Sequence, residues 1–424
     1  MGRMTAAAPS EANDARIGLL LTGGGARAAY QVGVLQALAT MRRQRDPTAH
    51  ASPFTIITGT SAGAINAASL ACGADDFEAA VQRIVSVWEN FEASQVYEAD
   101  LLSVLRSGAR WMSLLSLGWV IARWRRIKPR SLLDNAPLER LLREMVPLER
   151  LPGLIERGHL QALAVTASSY SSGHHVTFFE GAPHLQPWVR SQRLAVRGPI
   201  THEHLLASSA IPFVFPAKEL PINDGTEFFG DGSMRQTAPV APAIHLGAER
   251  IVVVGAGRMS EPRDTLKRAA RGSYPSLAQI AGHAMSSIFL DALAVDIERI
   301  RRINQTLNLI PREARQASAL RPVELLVISP SERLDQIAAK HADALPRAVR
   351  SLLGGLGVSS SQADIKGGAL ASYLLFEARY TRELMDLGHA DAFRQEDEIC
   401  RFFGWKAPVT PAQPRLERRD PLRV

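Results

Sequence analysis

The stretch from Phe54 to Ala68 constrains this chain of 424 residues more than any other. Its first five residues, Phe54-Thr55-Ile56-Ile57-Thr58, are β-branched or aromatic and read as a strand, and the residues from Ala62 onward are mostly small and read as a helix. Between them, Gly59-Thr60-Ser61-Ala62-Gly63 fits G-x-S-x-G, the pattern of a nucleophile elbow. A serine at the tip of such a turn has strained backbone angles, so Gly59 and Gly63 must let neighbouring chain pass close by. Ser61 would then project into an open pocket, with the N-terminus of the next helix aimed at its surroundings. The plain alternative is an ordinary Gly/Ser turn. The strand before and the small-residue helix after are the context that favours the elbow.

A second strand-to-helix junction lies upstream. Arg16 to Leu21 is apolar and runs into Thr22-Gly23-Gly24-Gly25-Ala26-Arg27-Ala28, after which Val32, Val34, Leu35 and Leu38 have helical spacing. A glycine triplet there is a nest of free backbone N–H groups, and such a nest binds anions. One such anion is a dinucleotide pyrophosphate, since Gly23-x-Gly25-x-x-Ala28 matches a relaxed fingerprint. The other is the oxyanion of a tetrahedral intermediate. The dinucleotide reading needs an acidic residue about 20 positions on, at the end of the next strand. Asp46, the nearest candidate, is followed by Pro47 and precedes that strand.

Further strands are expected at Leu160–Ala167, His175–Phe179, Glu227–Ser233, Ile251–Val254 and Val323–Ile328, with helices at Asp75–Asn90 and Ser131–Met145. Such alternation predicts an α/β fold, a mostly parallel sheet with helices on both faces. Gly23, Gly24, Gly25, Ser61 and Asp231, which stands between Gly230 and Gly232, all fall at strand carboxyl ends, where such sheets bind ligands. Beyond Gly257 the chain turns basic, with a long helix or a pair of helices expected over Tyr274–Leu309 and again over Gly368–Leu387. The expected organisation is a flexible N-terminus (1–16), a catalytic domain (17–247), a mainly helical C-terminal region that partly completes the core (248–407), and a basic Pro/Arg-rich tail (408–424).

Hydrophobic content of 46% and charged content of 21% are globular values, and nothing in the sequence resembles a disordered or repeat protein. Cys72 and Cys400 offer neither a disulfide framework nor metal-ligand spacing, so a reducing, cytoplasmic setting is expected. The N-terminal residues lack an apolar core of signal-peptide type, and no uninterrupted apolar run is long enough for a span. A net charge of +7 favours anionic surfaces, phospholipid or nucleic acid alike. Trp111 to Lys128 sharpens this: Trp111, Trp119 and Trp124 meet Arg123, Arg125, Arg126 and Lys128. The segment reads either as a helix lying in a membrane interface or as a core helix with a basic end.

A serine hydroxyl needs a base and oxyanion donors to act as a nucleophile. A Ser-Asp-His order would require His245, His283, His341 or His389, none of which sits in a Gly-flanked strand-end loop. A carboxylate serves instead if burial raises its pKa. Here the chain resembles the patatin-like phospholipases, lipid acyl hydrolases with a Ser–Asp dyad. The resemblance rests on Gly23-Gly24-Gly25-Ala26-Arg27, Gly59-Thr60-Ser61-Ala62-Gly63, Ala207-Ser208-Ser209-Ala210-Ile211-Pro212 and Asp231-Gly232, in that order, and covers about Ile17 to Leu246. It implies Ser61 as nucleophile, Asp231 as base, and Gly23, Gly24 and Gly25 as oxyanion hole with Arg27 steadying the loop. Ala28 and Ser233 depart from the family's usual Gly and Gly or Ala. The implied function is hydrolysis of phospholipid or related lipid esters with no metal or organic cofactor and no nucleic-acid partner, on a protein that is cytoplasmic or peripheral at an anionic membrane. The alternatives are a thioesterase or small-ester esterase using the same dyad, and a silent membrane-binding or regulatory module.

Overall fold

The computed structural model describes residues 16–98, 131–222, 225–258, 292–318, 320–355 and 368–406, with the isolated positions 280, 283 and 287. The segment Trp111 to Lys128, most of the stretch from 259 to 291 and the tail beyond 406 lie outside the described residues. Ten strands form one sheet: β1 (Ile17–Leu21), β2 (Ile56–Thr60), β3 (Ala162–Ser169), β4 (His175–Gly181), β5 (Val189–Arg190), β6 (Arg193–Arg197), β7 (Lys218–Ile222), β8 (Gly225–Asp231), β9 (Arg250–Val254) and β10 (Glu324–Ile328). The order β10-β9-β1-β2-β3 is parallel throughout, and antiparallel pairing begins where β4 and β8 join β3.

One strand brings the two halves of the site together. β4 occupies one edge of β3 from Ala162 to Ser168. Along the other edge, β2 pairs up to Thr60 with Thr166, and β8 takes over at the next residue, Asp231 with Ala167. The chain therefore leaves β2 at Ser61 where Asp231 arrives on β8.

Side chains alternate across the sheet. Leu19 and Leu21 face one layer, beneath the helices α1 (Ala29–Arg45), α2 (Ala62–Ala71) and α3 (Phe77–Glu89). Leu20, Ile251 and Val253 face the other, where Ile297 and Ile300 of a long helix (Ala292–Leu309) close the core. Helices thus cover both faces, as the unbroken apolar strands require. Among the described residues, no helix is long and apolar enough to cross a membrane.

The helices α4 (Ala136–Met145), α5 (His202–Ser208), α6 (Ala292–Leu309), α7 (Gly368–Leu374) and α8 (Ala378–Arg394) complete the elements that position the site. α8 lies directly on α1. A Cβ at Gly33 would sit 1.9 Å from the Met385 carbonyl oxygen, and one at Gly388 would sit 2.1 Å from that of Tyr30, so only glycine permits the crossing. The Tyr30 hydroxyl donates to Asp391 Oδ2 at 3.0 Å within this contact.

One expected helix differs in extent, and another stretch resolves into a pair. Ser131 to Asn135 is not helical: Leu132 and Leu133 donate to the carbonyls of Phe213 and Val214 at 2.8 and 2.9 Å, and the helix begins at Ala136 with Pro137 in its first turn. Gly368 to Leu387 is two helices, α7 and α8, broken at Leu375–Phe376–Glu377. Leu375 and Phe376 are buried there, and the Tyr97 hydroxyl donates to the Leu374 carbonyl at 3.0 Å. β5, β6 and β7 have no clear apolar alternation and were not expected from the sequence; β7 even contains Pro221, tolerated because among the described residues β7 pairs on one side alone, with β8.

Candidate active site

Ser61 links β2 to α2 at φ 56°, ψ −133°, a conformation that costs a non-glycine residue about 1–3 kcal/mol. The surroundings hold it there. A Cβ at Gly63 would lie 2.4 Å from the carbonyl oxygens of both Leu21 and Thr22, and one at Gly59 would lie 2.5 Å from the backbone of Ala64. The Ser61 N–H donates to Ser208 Oγ at 2.8 Å, and that hydroxyl donates in turn to the Thr166 carbonyl at 2.6 Å. The Ser208 carbonyl accepts from Gly232 N–H at 3.1 Å. Ser208, at the end of α5, thus touches both the serine turn and the aspartate loop.

Ser61 Oγ donates to Asp231 Oδ2 at 2.6 Å, and Asp231 Oδ1 accepts from Ser233 N–H at 2.8 Å. Asp231 is fully buried. Burial raises its carboxyl from 3.8 to about 6, against the opposing pull of the hydrogen bonds from Ser61 and Ser233. Gly232 is pressed onto Thr166, where a Cβ would come within 1.9 Å of the carbonyl oxygen. On its far side His175 Nε2 lies 3.0 Å from the Gly232 carbonyl; burial pushes this imidazole down to about 4, so near neutral pH it is uncharged and Nε2–H is the donor.

The glycine loop approaches from β1. Gly25 has φ 55° and lines the same cavity as Ser61. No described residue accepts a hydrogen bond from the N–H of Gly23 or Gly24. The carbonyl of Thr22, just before the loop, accepts from Gln31 Nε2 at 2.7 Å; Gln31 Oε1 accepts from Asn66 Nδ2 at 3.3 Å, and Asn66 Oδ1 from Trp88 Nε1 at 3.0 Å. Arg27, almost wholly buried, donates from Nε to Ser372 Oγ at 2.7 Å.

From Ser61 an apolar channel runs between α2, α3 and α4. Ile65, Ile84, Leu138, Leu142, Phe215 and Phe376 are among its walls. The cavity there has a volume of about 60 Å³. Its walls are mostly apolar, a lining that suits a hydrocarbon chain.

The four histidines considered from the sequence have other surroundings. His245 stacks on Trp188 at 4.8 Å, His341 Nε2 lies 2.6 Å from Glu383 Oε2, His389 packs on Phe393 at 4.7 Å, and His283 is exposed. No group of three or more His, Cys, Asp or Glu side chains suited to a metal ion occurs among the described residues. The structure adds Ser208, His175, Gln31, Asn66, Ser372 and Phe376 to the residues around the site. Ser208 lies in a small-residue block already singled out; the others carry no local signature.

A family model described as patatin-like phospholipase matches residues 19–244. No curated protein matches the chain. Among solved structures, the chain is similar to VipD from Legionella pneumophila, with 14% identity over 88% of this chain and 67% of that one and a TM-score of 0.32. It is similar to human GIVD cytosolic phospholipase A2, with 15% identity and a TM-score of 0.40. That match covers 92% of this chain but only 59% of the human protein. ExoU of Pseudomonas aeruginosa matches with 16% identity over 94% of this chain and 91% of that one, with a TM-score of 0.26.

Proposed function

Because the chain belongs to the patatin-like phospholipase family and is by that membership an ester-hydrolysing enzyme, we propose that it is a serine acyl hydrolase of phospholipids or related lipid esters, working through a Ser61–Asp231 dyad. The observation that carries this reading is the 2.6 Å hydrogen bond from Ser61 Oγ to a buried carboxylate raised to about 6. Asp231 accepts the Ser61 proton as Oγ attacks the ester carbonyl carbon. The carbonyl oxygen becomes an oxyanion, which the N–H groups of the Gly23–Gly25 loop receive. Collapse expels the alcohol, protonated by Asp231, and leaves an acyl-serine; a water gives its proton to Asp231 as it attacks the acyl carbon, and Asp231 returns that proton to Ser61 Oγ as the fatty acid leaves. The acyl chain lies in the channel past Ile65 and Leu142.

A fluorophosphonate probe tests the reading, because it labels only an activated serine. Wild-type protein should incorporate one label at Ser61, and Ser61→Ala none. Label on another residue, or hydrolysis retained by Ser61→Ala, would remove Ser61 from the reaction. A panel of phospholipids, lysophospholipids, thioesters and p-nitrophenyl esters separates the lipid hydrolase from a thioesterase that uses the same dyad.

A further inference from the structure

The glycine loop rests against residues far outside 19–244. Arg27 Nε donates to Ser372 Oγ at 2.7 Å, its Nη2 reaches the Ala369 carbonyl at 3.4 Å, and its guanidinium lies 4.1 Å from the Tyr373 ring centroid. The Ser372 hydroxyl donates its own proton to the Ala369 carbonyl at 2.6 Å, which leaves its oxygen turned to accept from Arg27. No described carboxylate forms an ion pair with Arg27; Asp335, which feels its charge, is bonded to Arg333 instead. Gly25 packs so closely on Tyr373 that a Cβ there would lie 2.3 Å from the Tyr373 carbonyl oxygen. The break after α7 then turns the chain into the channel. Phe376 forms part of the wall, edge-on to Phe91 with ring centroids 5.5 Å apart. Thr381 Oγ1, one turn into α8, donates to the Trp88 carbonyl at 2.6 Å and pins this segment to the same wall.

We propose that Ser372, Tyr373 and Phe376 belong to the active site: the first two position the glycine loop through Arg27 and Gly25, and Phe376 determines how the channel fits an acyl chain. The inference rests on the dyad reading above. Its physical basis is that oxyanion donors act only when held in place beforehand. A loop with Gly at 23, 24 and 25 has the most freedom to lose, so an outside support is needed. Here that support is a buried cation anchored on neutral acceptors, which also adds positive potential beside the developing negative charge.

The test uses the full chain with Ser372→Ala, Arg27→Lys, their combination, Phe376→Ala and Ser61→Ala. Fluorophosphonate labelling, taken to completion, counts active sites, and kcat and KM on a soluble ester are expressed per counted site. Ser372→Ala and Arg27→Lys should each lower kcat per site by roughly 10- to 100-fold with little change in KM, the penalty of misplaced donors. The combination should lose little more than either alone, since both act through one loop. A purely structural role would reduce the number of sites and leave kcat per site at the wild-type value, and that result overturns the positioning role. Phe376→Ala should raise kcat/KM for long acyl chains relative to short ones; an equal change at every length overturns its part. If Ser61→Ala is dead while Ser372→Ala turns over normally, this inference fails and the dyad stands. If Ser61→Ala stays active, both fall.

Discussion

Replacing Asp231 by Asn should stabilise the fold while removing the activity. The carboxyl is fully buried and raised from 3.8 to about 6. Between those values the native protein holds a proton that the unfolded chain has released, so stability falls as pH rises through the window. The window is about two pH units wide, and each is worth about 1.4 kcal/mol, so at neutral pH the ionised aspartate costs about 3 kcal/mol relative to strongly acidic solution. Asn has the same shape and carries no charge. Its Oδ1 can still accept from Ser233 N–H, and its Nδ2 can donate to Ser61 Oγ after the hydroxyl rotates. The two proteins should therefore have similar stability near pH 4, and Asp231→Asn should be more stable by about 2–3 kcal/mol at pH 7.5. Denaturant titrations of both proteins across this range measure the difference directly, and the histidines cancel because both proteins contain them. Turnover should fall by about 10²–10⁴-fold, the contribution of a general base. In the wild type, kcat/KM should rise through about pH 6 and level off above it. A variant less stable than wild type at neutral pH, or a stability difference that does not vary with pH, would refute the argument that this carboxylate is held against its solvation.

His245→Ala, His283→Ala, His341→Ala and His389→Ala should each keep most of the activity on a soluble ester; one as inactive as Ser61→Ala would replace the dyad with a triad. Leu141→Trp narrows the channel wall on α4 and should depress hydrolysis of long-chain esters at least about 10-fold while sparing acetyl esters, read as the ratio of kcat/KM values. Changing Arg123, Arg125, Arg126 and Lys128 together to Gln should weaken binding to anionic vesicles, each charge being worth about 1 kcal/mol at low salt. Hydrolysis of a soluble ester should be unchanged by those four substitutions; an equal loss on vesicles and soluble ester would make that segment part of the structural core.

The α/β fold was legible in the sequence because buried parallel strands are rich in apolar and β-branched residues, and β1, β2, β3, β9 and β10 all overlap stretches of that kind. Ser61, Asp231 and the Gly23–Gly25 loop were legible because tight turns and close backbone approaches demand glycine, and that demand is local. β5, β6 and β7 were not, since their short, polar or proline-bearing sequences form strands only when a neighbour supplies hydrogen-bond partners. Nor was the point at which Gly368 to Leu387 divides into a pair of helices. Helical spacing continues through Leu375 and Phe376, both buried at the break, with Phe376 packed on Trp88 of α3. The sequence alone determined which residues had the right chemistry and the right backbone freedom. Their meeting depended on β3 holding β2 and β8 end to end along one edge, and the support of the glycine loop depended on Ser372 reaching Arg27 across 345 residues. Pairing register and long-range packing are properties of the whole chain at once, so no local pattern records them.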